Sequence, residues 1–271
     1  MKGAIIGDIV GSVYEFDNIK TTEFNFYSPY CYATDDSVLT VATAKALMEF
    51  PDPENAPDAA LEAAFLRNYL DFGRRYPGRG YGGAFRKWLH AEYPKPYYSS
   101  GNGSAMRVAP IAYVATSLES AVRMARLSAK VSHDHPDGIC GAEATAGALY
   151  LALHGGTVDD VIDFVARYYP HVNELPSLKK IRQTYTFDHY ASICEGTVPY
   201  AVHCLREARD FEHAIRLIVS IGGDTDTLGA IGGGIAEALY PIPDELWEEA
   251  LEFVPEEMQD IIDRFYERFV H

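Results

Sequence analysis

The sequence predicts an all-α fold, a single compact orthogonal helical domain over residues 1–271. Two observations carry that prediction. Apolar residues recur at three- and four-residue spacing in most segments. No alternating Val/Ile/Thr run is bounded by Asn-Gly or Asp-Gly turns, and no strand–helix alternation supports a parallel sheet. In chain order, residues 35–50 open with two acids and continue with helical periodicity. Residues 57–76 begin with Pro57 at a first-turn position and place Leu61, Ala64, Phe65 and Phe72 on one face. Further helices are expected over 118–131, 141–153, 157–168, 197–209, 211–221, 228–240, 244–253 and 255–269. Thr157 and Asp210 read as N-caps, and Gly155-Gly156 as a stop. Stretches 51–57, 77–83 and 94–103, rich in Pro and Gly, read as loops, and no fixed-period repeat suggests a solenoid.

Composition narrows the function classes. The chain is 48% hydrophobic and 23% charged, ordinary for a globular protein. Its net charge of −16 offers no footprint for a nucleic-acid backbone or an anionic membrane. A phosphorylated ligand would have to be held by local dipoles, metals or a few basic groups. No run of 18 apolar residues occurs, and the N-terminus lacks the layout of a signal peptide, so a cytoplasmic protein is expected. Cys31, Cys140, Cys194 and Cys204 are scattered without a CxxC and read as buried thiols. A monomer is the default for one compact domain.

Four constellations bear on chemistry. Thr34-Asp35-Asp36-Ser37 stands at a helix start, where acids alone would simply complement the dipole. Gly222-Gly223-Asp224-Thr225-Asp226-Thr227 is a second acidic group, preceded by glycines that permit unusual backbone geometry. Gathered carboxylates repel and are commonly neutralised by a cation, and hard cations take oxygen ligands. Read jointly, the two groups suit a metal site that can hold two ions. The DxDxT spacing of Asp224 to Thr227 also matches haloacid-dehalogenase-type phosphatases, but that motif follows a buried strand near the start of a Rossmann-like domain, and this one lies late in a helical chain. Gly3, Gly7 and Gly11 miss the dinucleotide spacing and mark one face of a close-packed helix, with Glu15 one turn further on. Ser99-Ser100-Gly101-Asn102-Gly103-Ser104 leading into a helix can cradle phosphate oxygens, or is an ordinary polar loop. Ser132-His133-Asp134-His135 lacks helical zinc spacing and suits hydrogen bonding to a ligand or loop packing.

In this order the motifs GAIIGDIVGSVYEF from Gly3, ATDDS from Ala33, GNGSAMR from Gly101, SHDH from Ser132 and IGGDTDTLGAIGG from Ile221 resemble the ADP-ribosylglycohydrolase family. The resemblance implies a helical fold of that family's type with a binuclear metal site, occupied by two Mg2+ (Mn2+ as a substitute). It implies Thr34, Asp35, Asp36, Asp224, Asp226 and Thr227 as metal ligands, and Thr225 is expected to point away because alternate residues of an extended turn face opposite ways. Glu15 matches the family's Glu near the end of its first motif, a candidate water activator or site-gating residue. A catalytic carboxylate such as Glu15 or Asp36 would accept the proton of a metal-bound water. Ser99, Ser100, Gly101, Asn102 and Gly103 would hold the diphosphate, and His133 would contact the ligand. Many relatives carry Thr where this chain has Ser37. The implied activity is magnesium-dependent hydrolysis of the glycosidic bond between ADP-ribose and a protein side chain, arginine or serine, or a small acceptor. The alternative is a catalytically inactive ADP-ribose- or nucleotide-binding module. The partner is then an ADP-ribosylated protein or small ADP-ribosyl conjugate, and the aromatic loop 24–32 is a candidate for shaping the acceptor side.

Overall fold

The computed structural model describes residues 1–270. Fourteen α-helices are present among them: α1 (Lys2–Gly11), α2 (Asp35–Met48), α3 (Asp58–Arg75), α4 (Gly83–Leu89), α5 (Ala109–Val114), α6 (Leu118–Lys130), α7 (Pro136–Leu153), α8 (Val158–Val165), α9 (Leu178–Thr184), α10 (Cys194–Cys204), α11 (Phe211–Ser220), α12 (Thr225–Leu239), α13 (Asp244–Ala250) and α14 (Glu256–Phe269). No strand occurs among the described residues; a single antiparallel bridge joins Gly101 and Ile193. No helix among the described residues is long and apolar enough to cross a membrane.

The long helices lie close to where the periodicity predicts them, and the departures have local causes. Helix α7 starts at Pro136, not at residue 141. His135 caps it by accepting from the Asp137 amide at 3.1 Å, and Pro136 loses nothing at a first-turn position. Helix α12 starts at Thr225 because Gly222 and Gly223, at φ +77 and +78, complete the reversal after α11. Helix α10 begins at Cys194 and contains Pro199, while 251–253 closes α13 as a 3-10 turn. Helices α4, α5 and α9 fall in segments where the periodicity placed no helix; at seven, six and seven residues they are too short to accumulate a periodic signal.

At the centre α1 and α12 cross backbone against backbone. A Cβ on Gly7 would lie 1.9 Å from the Gly229 carbonyl oxygen, one on Gly3 2.3 Å from that of Gly233, and one on Gly11 2.2 Å from that of Thr225. Residue number rises along one helix as it falls along the other, so the pair is antiparallel. The glycines at positions 3, 7 and 11 thus serve helix packing, as their spacing predicts. Helix α7, lined with Ala and Gly on its buried face, packs against α5, α6, α8, α10 and α12, while α2 packs on α3, α5 and α14. The result brings the end of α1, the start of α2 and the start of α12 to one place. All four cysteines are free; three are buried and Cys140 is half-buried.

Candidate active site: a carboxylate-lined cavity

A cavity of about 490 Å³ opens where those helix ends meet. Glu15, Asp35, Asp36, Asp224, Asp226, Thr227, Ser99, Gly101, Asn102, Gly103 and His133 all line it, joined by Phe85, Tyr97, Phe187, His189 and Ser192 among others. Most of the residues singled out in the sequence therefore share one wall system.

The floor is acidic. Carboxylate oxygens of Asp8, Asp36 and Asp226 lie within 4.8 Å of one another, and so do those of Glu15, Asp224 and Asp226. Asp226 belongs to both groups. Asp35 stands at the edge, its backbone amide donating to the Arg79 carbonyl at 2.7 Å. Among the described residues none of these six carboxylates forms an ion pair. Burial, reinforced by the neighbouring charge of Asp226, pushes the Asp8 carboxyl up to about 7 and that of Glu15 up to about 8. Asp35, Asp36 and Asp224 are held well above the usual carboxylate range by the same two causes. Asp36 Oδ1 is buried without a hydrogen-bond partner. A buried lone-pair atom and a set of mutually repelling carboxylates with no cationic side chain fit a hard divalent cation.

Asp8 was not legible as a site residue, yet it organises this floor. Its carboxylate accepts from the Thr34 amide at 3.0 Å, the Thr34 hydroxyl at 2.6 Å, the Ser37 amide at 3.0 Å and the Ser37 hydroxyl. Ser37, absent from the implied ligands, is thus a support of the cluster. Thr34 caps α2, accepting from the Asp36 amide at 3.2 Å, and the hydroxyls of Thr34 and Thr227 lie 3.3 and 3.4 Å from Asp36 Oδ2. Thr225 does point away: its hydroxyl donates to the Gly11 carbonyl at 2.8 Å, because it occupies the first turn of α12 on the face toward α1. Glu15 is not on a continuation of that α1 face, since the helix ends at Gly11. The Asn18 amide fixes its segment instead, donating to the carbonyls of Glu15 at 3.0 Å and Gly223 at 3.0 Å.

The glycine loop differs in detail from its expected form. It leads into one 3-10 turn, Asn102–Ser104, and no α-helix begins until Ala109. The amides of Ala105 and Met106 both turn back to the Asn102 carbonyl, at 2.8 and 3.1 Å, which closes the turn. The Asn102 side chain is directed at Asp224 (2.8 Å) and Thr197 (3.1 Å), so it braces the acidic floor. Ser99 Oγ accepts from the Gly101 amide at 3.1 Å, whereas the Ser100 carbonyl accepts from the Cys194 amide at 3.0 Å and does not line the cavity. His133 is buried, and its Nδ1 shares a hydrogen bond with the Ser132 hydroxyl at 2.8 Å. Part of the aromatic loop lies elsewhere: Tyr27 donates to the Leu246 carbonyl and stacks on Phe253, and Phe24 and Phe26 sit under Arg216. Tyr32 stays beside the acidic floor, its phenol pushed up by burial and by the charges of Asp226, Glu15, Asp8 and Asp35. Phe16 and Phe187 stand at the mouth instead, edge to face at 5.3 Å.

The sequence profile of the ADP-ribosylglycohydrolase family matches residues 1–271, the whole chain. The chain belongs to the ADP-ribosylglycohydrolase family. ADP-ribosylhydrolase ARH3 of Mus musculus is 26% identical, over 93% of this chain and 86% of the relative. The human ARH3 is 25% identical over 93% and 88%, and an uncharacterised protein of Archaeoglobus fulgidus is 28% identical over 98% and 94%. A solved structure described as an ADP-ribosylglycohydrolase-related protein complex superimposes with a TM-score of 0.65 at 23% identity, covering 98% of this chain and 94% of that one, which supports the fold. The family makes the chain a glycosyl hydrolase acting on ADP-ribose linkages, and its metal dependence agrees with the acidic floor.

Proposed function

We propose that this chain hydrolyses the glycosidic bond between ADP-ribose and a side chain or small acceptor, and that it needs magnesium to do so. One observation supports the reading above the others: five carboxylates without an ion-pair partner, with Asp8 beneath them, line a cavity shared with a glycine loop and a buried histidine. An inactive binding module has no use for so costly a concentration of like charge.

Asp36, Asp224 and Asp226, with Thr34, Asp35 and Thr227 beside them, would hold two magnesium ions. Bound there, the ions would offset the carboxylate charge, orient ribose hydroxyls and return Glu15 to its ionised form. The chain's own groups supply the rest. The Gly101–Gly103 loop and Ser99 bind the diphosphate, and His133 donates to it. Cleavage at ribose C1″ passes through an oxocarbenium-like state, in which the bond to the acceptor breaks as water attacks. Glu15 takes the proton that the water loses, and one proton passes to the departing oxygen or nitrogen, so that water's OH ends on ribose C1″ and its other hydrogen on the acceptor. Glu15 suits this role better than Asp36, because it lines the open cavity on a segment outside any helix, whereas Asp36 is 2% exposed. Release of ADP-ribose from arginine-, serine- and acetyl-linked conjugates, with magnesium and with chelator, tests the reading. Magnesium-dependent release from one class is expected; tight binding of free ADP-ribose without release from any conjugate would replace it with the binding-module reading.

A further inference from the structure

Arg107 is fully buried, and no carboxylate pairs with it among the described residues. Its guanidinium lies over the Tyr69 ring at 4.1 Å, while Nε and Nη1 have no hydrogen-bond partner. A buried, unpaired guanidinium is expensive to keep. Nη2 makes the side chain's polar contacts, donating to the Ser128 carbonyl at 2.7 Å and the Ser132 hydroxyl oxygen at 3.0 Å.

The direction of the second bond matters. Arginine can only donate, so the Ser132 oxygen must accept. A hydroxyl carries one proton, and the acceptor within reach of this one is His133 Nδ1 at 2.8 Å. Nδ1 therefore offers its lone pair, and the ring proton resides on Nε2. Nε2 faces the glycine loop: a Cβ on Gly103 would stand 3.1 Å from it and one on Gly101 3.5 Å. We infer that Arg107 and Ser132 are positioning residues, which lock His133 with its proton on Nε2 and so aim one fixed N–H donor at an anionic phosphate oxygen over Gly101–Gly103. Burial, together with the nearby charge of Arg107, also holds the imidazole well below its usual range, which agrees with an uncharged ring. An imidazole free to exchange tautomers would present a lone pair to the phosphate for part of the time; the relay removes that option.

The identity of the ligand rests on the function proposed above, but the tautomer does not. Nitrogen-15 correlation spectra of the magnesium-supplemented, ligand-free protein should show Nδ1 unprotonated and Nε2 protonated. A proton on Nδ1, or a cationic ring, would overturn the inference. Ser132→Ala should yield mixed tautomers and weaken free ADP-ribose binding, read by calorimetry, roughly tenfold. Wild-type affinity and an unchanged tautomer in that variant would also overturn it. If Ser132→Ala does not fold, His133→Gln and His133→Asn decide instead. The Gln amide nitrogen reaches the place of Nε2 and the Asn nitrogen that of Nδ1, so Gln should bind at least about tenfold more tightly than Asn. Equal binding by the two would overturn it. If the wild-type protein shows no affinity for ADP-ribose, the proposed function fails, and the ligand-free spectra still decide the lock.

Discussion

Asp36 and Asp226 occupy the first turns of α2 and α12, almost wholly buried. At the other end of the same cavity Phe16 and Phe187 are 79% and 40% exposed and belong to stretches with no regular structure. The floor gains its rigidity from helix ends that tertiary packing pins together, so its groups can be held near one another despite their repulsion. The mouth has apolar rings facing water and few constraints. In a family that acts on ADP-ribosylated substrates, the rigid end suits the half all substrates share, and the loose end suits the half that varies.

Asp226→Ala should cut the contrast most deeply, because that side chain belongs to both carboxylate groups. Turnover should fall by at least about a thousandfold with the circular dichroism unchanged. The metal-free variant should also melt higher than the wild type, on a scale where 1 kcal/mol is about 2–4 °C for a chain this size. An active, folded variant would remove the floor from the chemistry. Asp8→Asn comes next. It replaces an oxygen that accepts only with an amide forced to face a donor, so kcat should drop roughly ten- to a hundredfold while free ADP-ribose still binds. Unaltered kcat would make Asp8 a purely structural group.

The pH dependence of stability separates floor from mouth without mutation. Asp8 and Glu15 are raised to about 7 and about 8 in the metal-free fold. The folded state therefore holds more protons than the unfolded state between pH ~4 and ~8, and stability must decline as pH rises through that window. Calorimetry with chelator should show the melting temperature falling toward pH ~8, and added magnesium should raise it more at pH ~8 than at pH ~5. A magnesium effect of one size at both values would mean that the carboxylates are ionised without the metal. The smallest effect should come from the mouth. Phe16→Ala and Phe187→Ala should raise KM for a conjugate about three- to tenfold while free ADP-ribose binds as before. A matching loss for free ADP-ribose would place the rings over the shared half.

The sequence carried the floor further than the mouth, for physical reasons. Asp35, Asp36, Asp224 and Asp226 stand out because acids at helix starts, one pair preceded by two glycines, form patterns within a few residues. Asp8 could not stand out: it is a single acid in an apolar helix, and its partners Thr34 and Ser37 arrive through tertiary contact. Arg107 was visible only as the last letter of a loop motif, since its value lies in what Ser132 does with its proton. The same locality explains why the long helices α2, α3 and α6 were found close to their true limits while α4, α5 and α9 were not. In the aromatic loop 24–32 Phe24, Phe26 and Tyr27 misled, because composition shows that rings need covering but not which face covers them, while Tyr32 does adjoin the floor. Here α11 and α13 do so, and the cavity takes its rings from Phe85, Tyr97 and Phe187, with Phe16 edge to face on the last.

The glycine crossing of α1 and α12 works as a calliper. One arm carries Asp8, and leads on to Glu15; the other carries Asp226, so the separation of two backbones sets the gap between oxygens that face each other across the floor. A methyl group at Gly7 is a wedge between the arms, since it would have to push the Gly229 carbonyl back from 1.9 Å. Oxygen distances for magnesium and calcium differ by only about 0.3–0.5 Å. For the divalent ion proposed at this floor, the missing side chains of two helices would thus weigh magnesium against calcium, and Gly7→Ala should shift the preference toward calcium, read by titrating each ion calorimetrically.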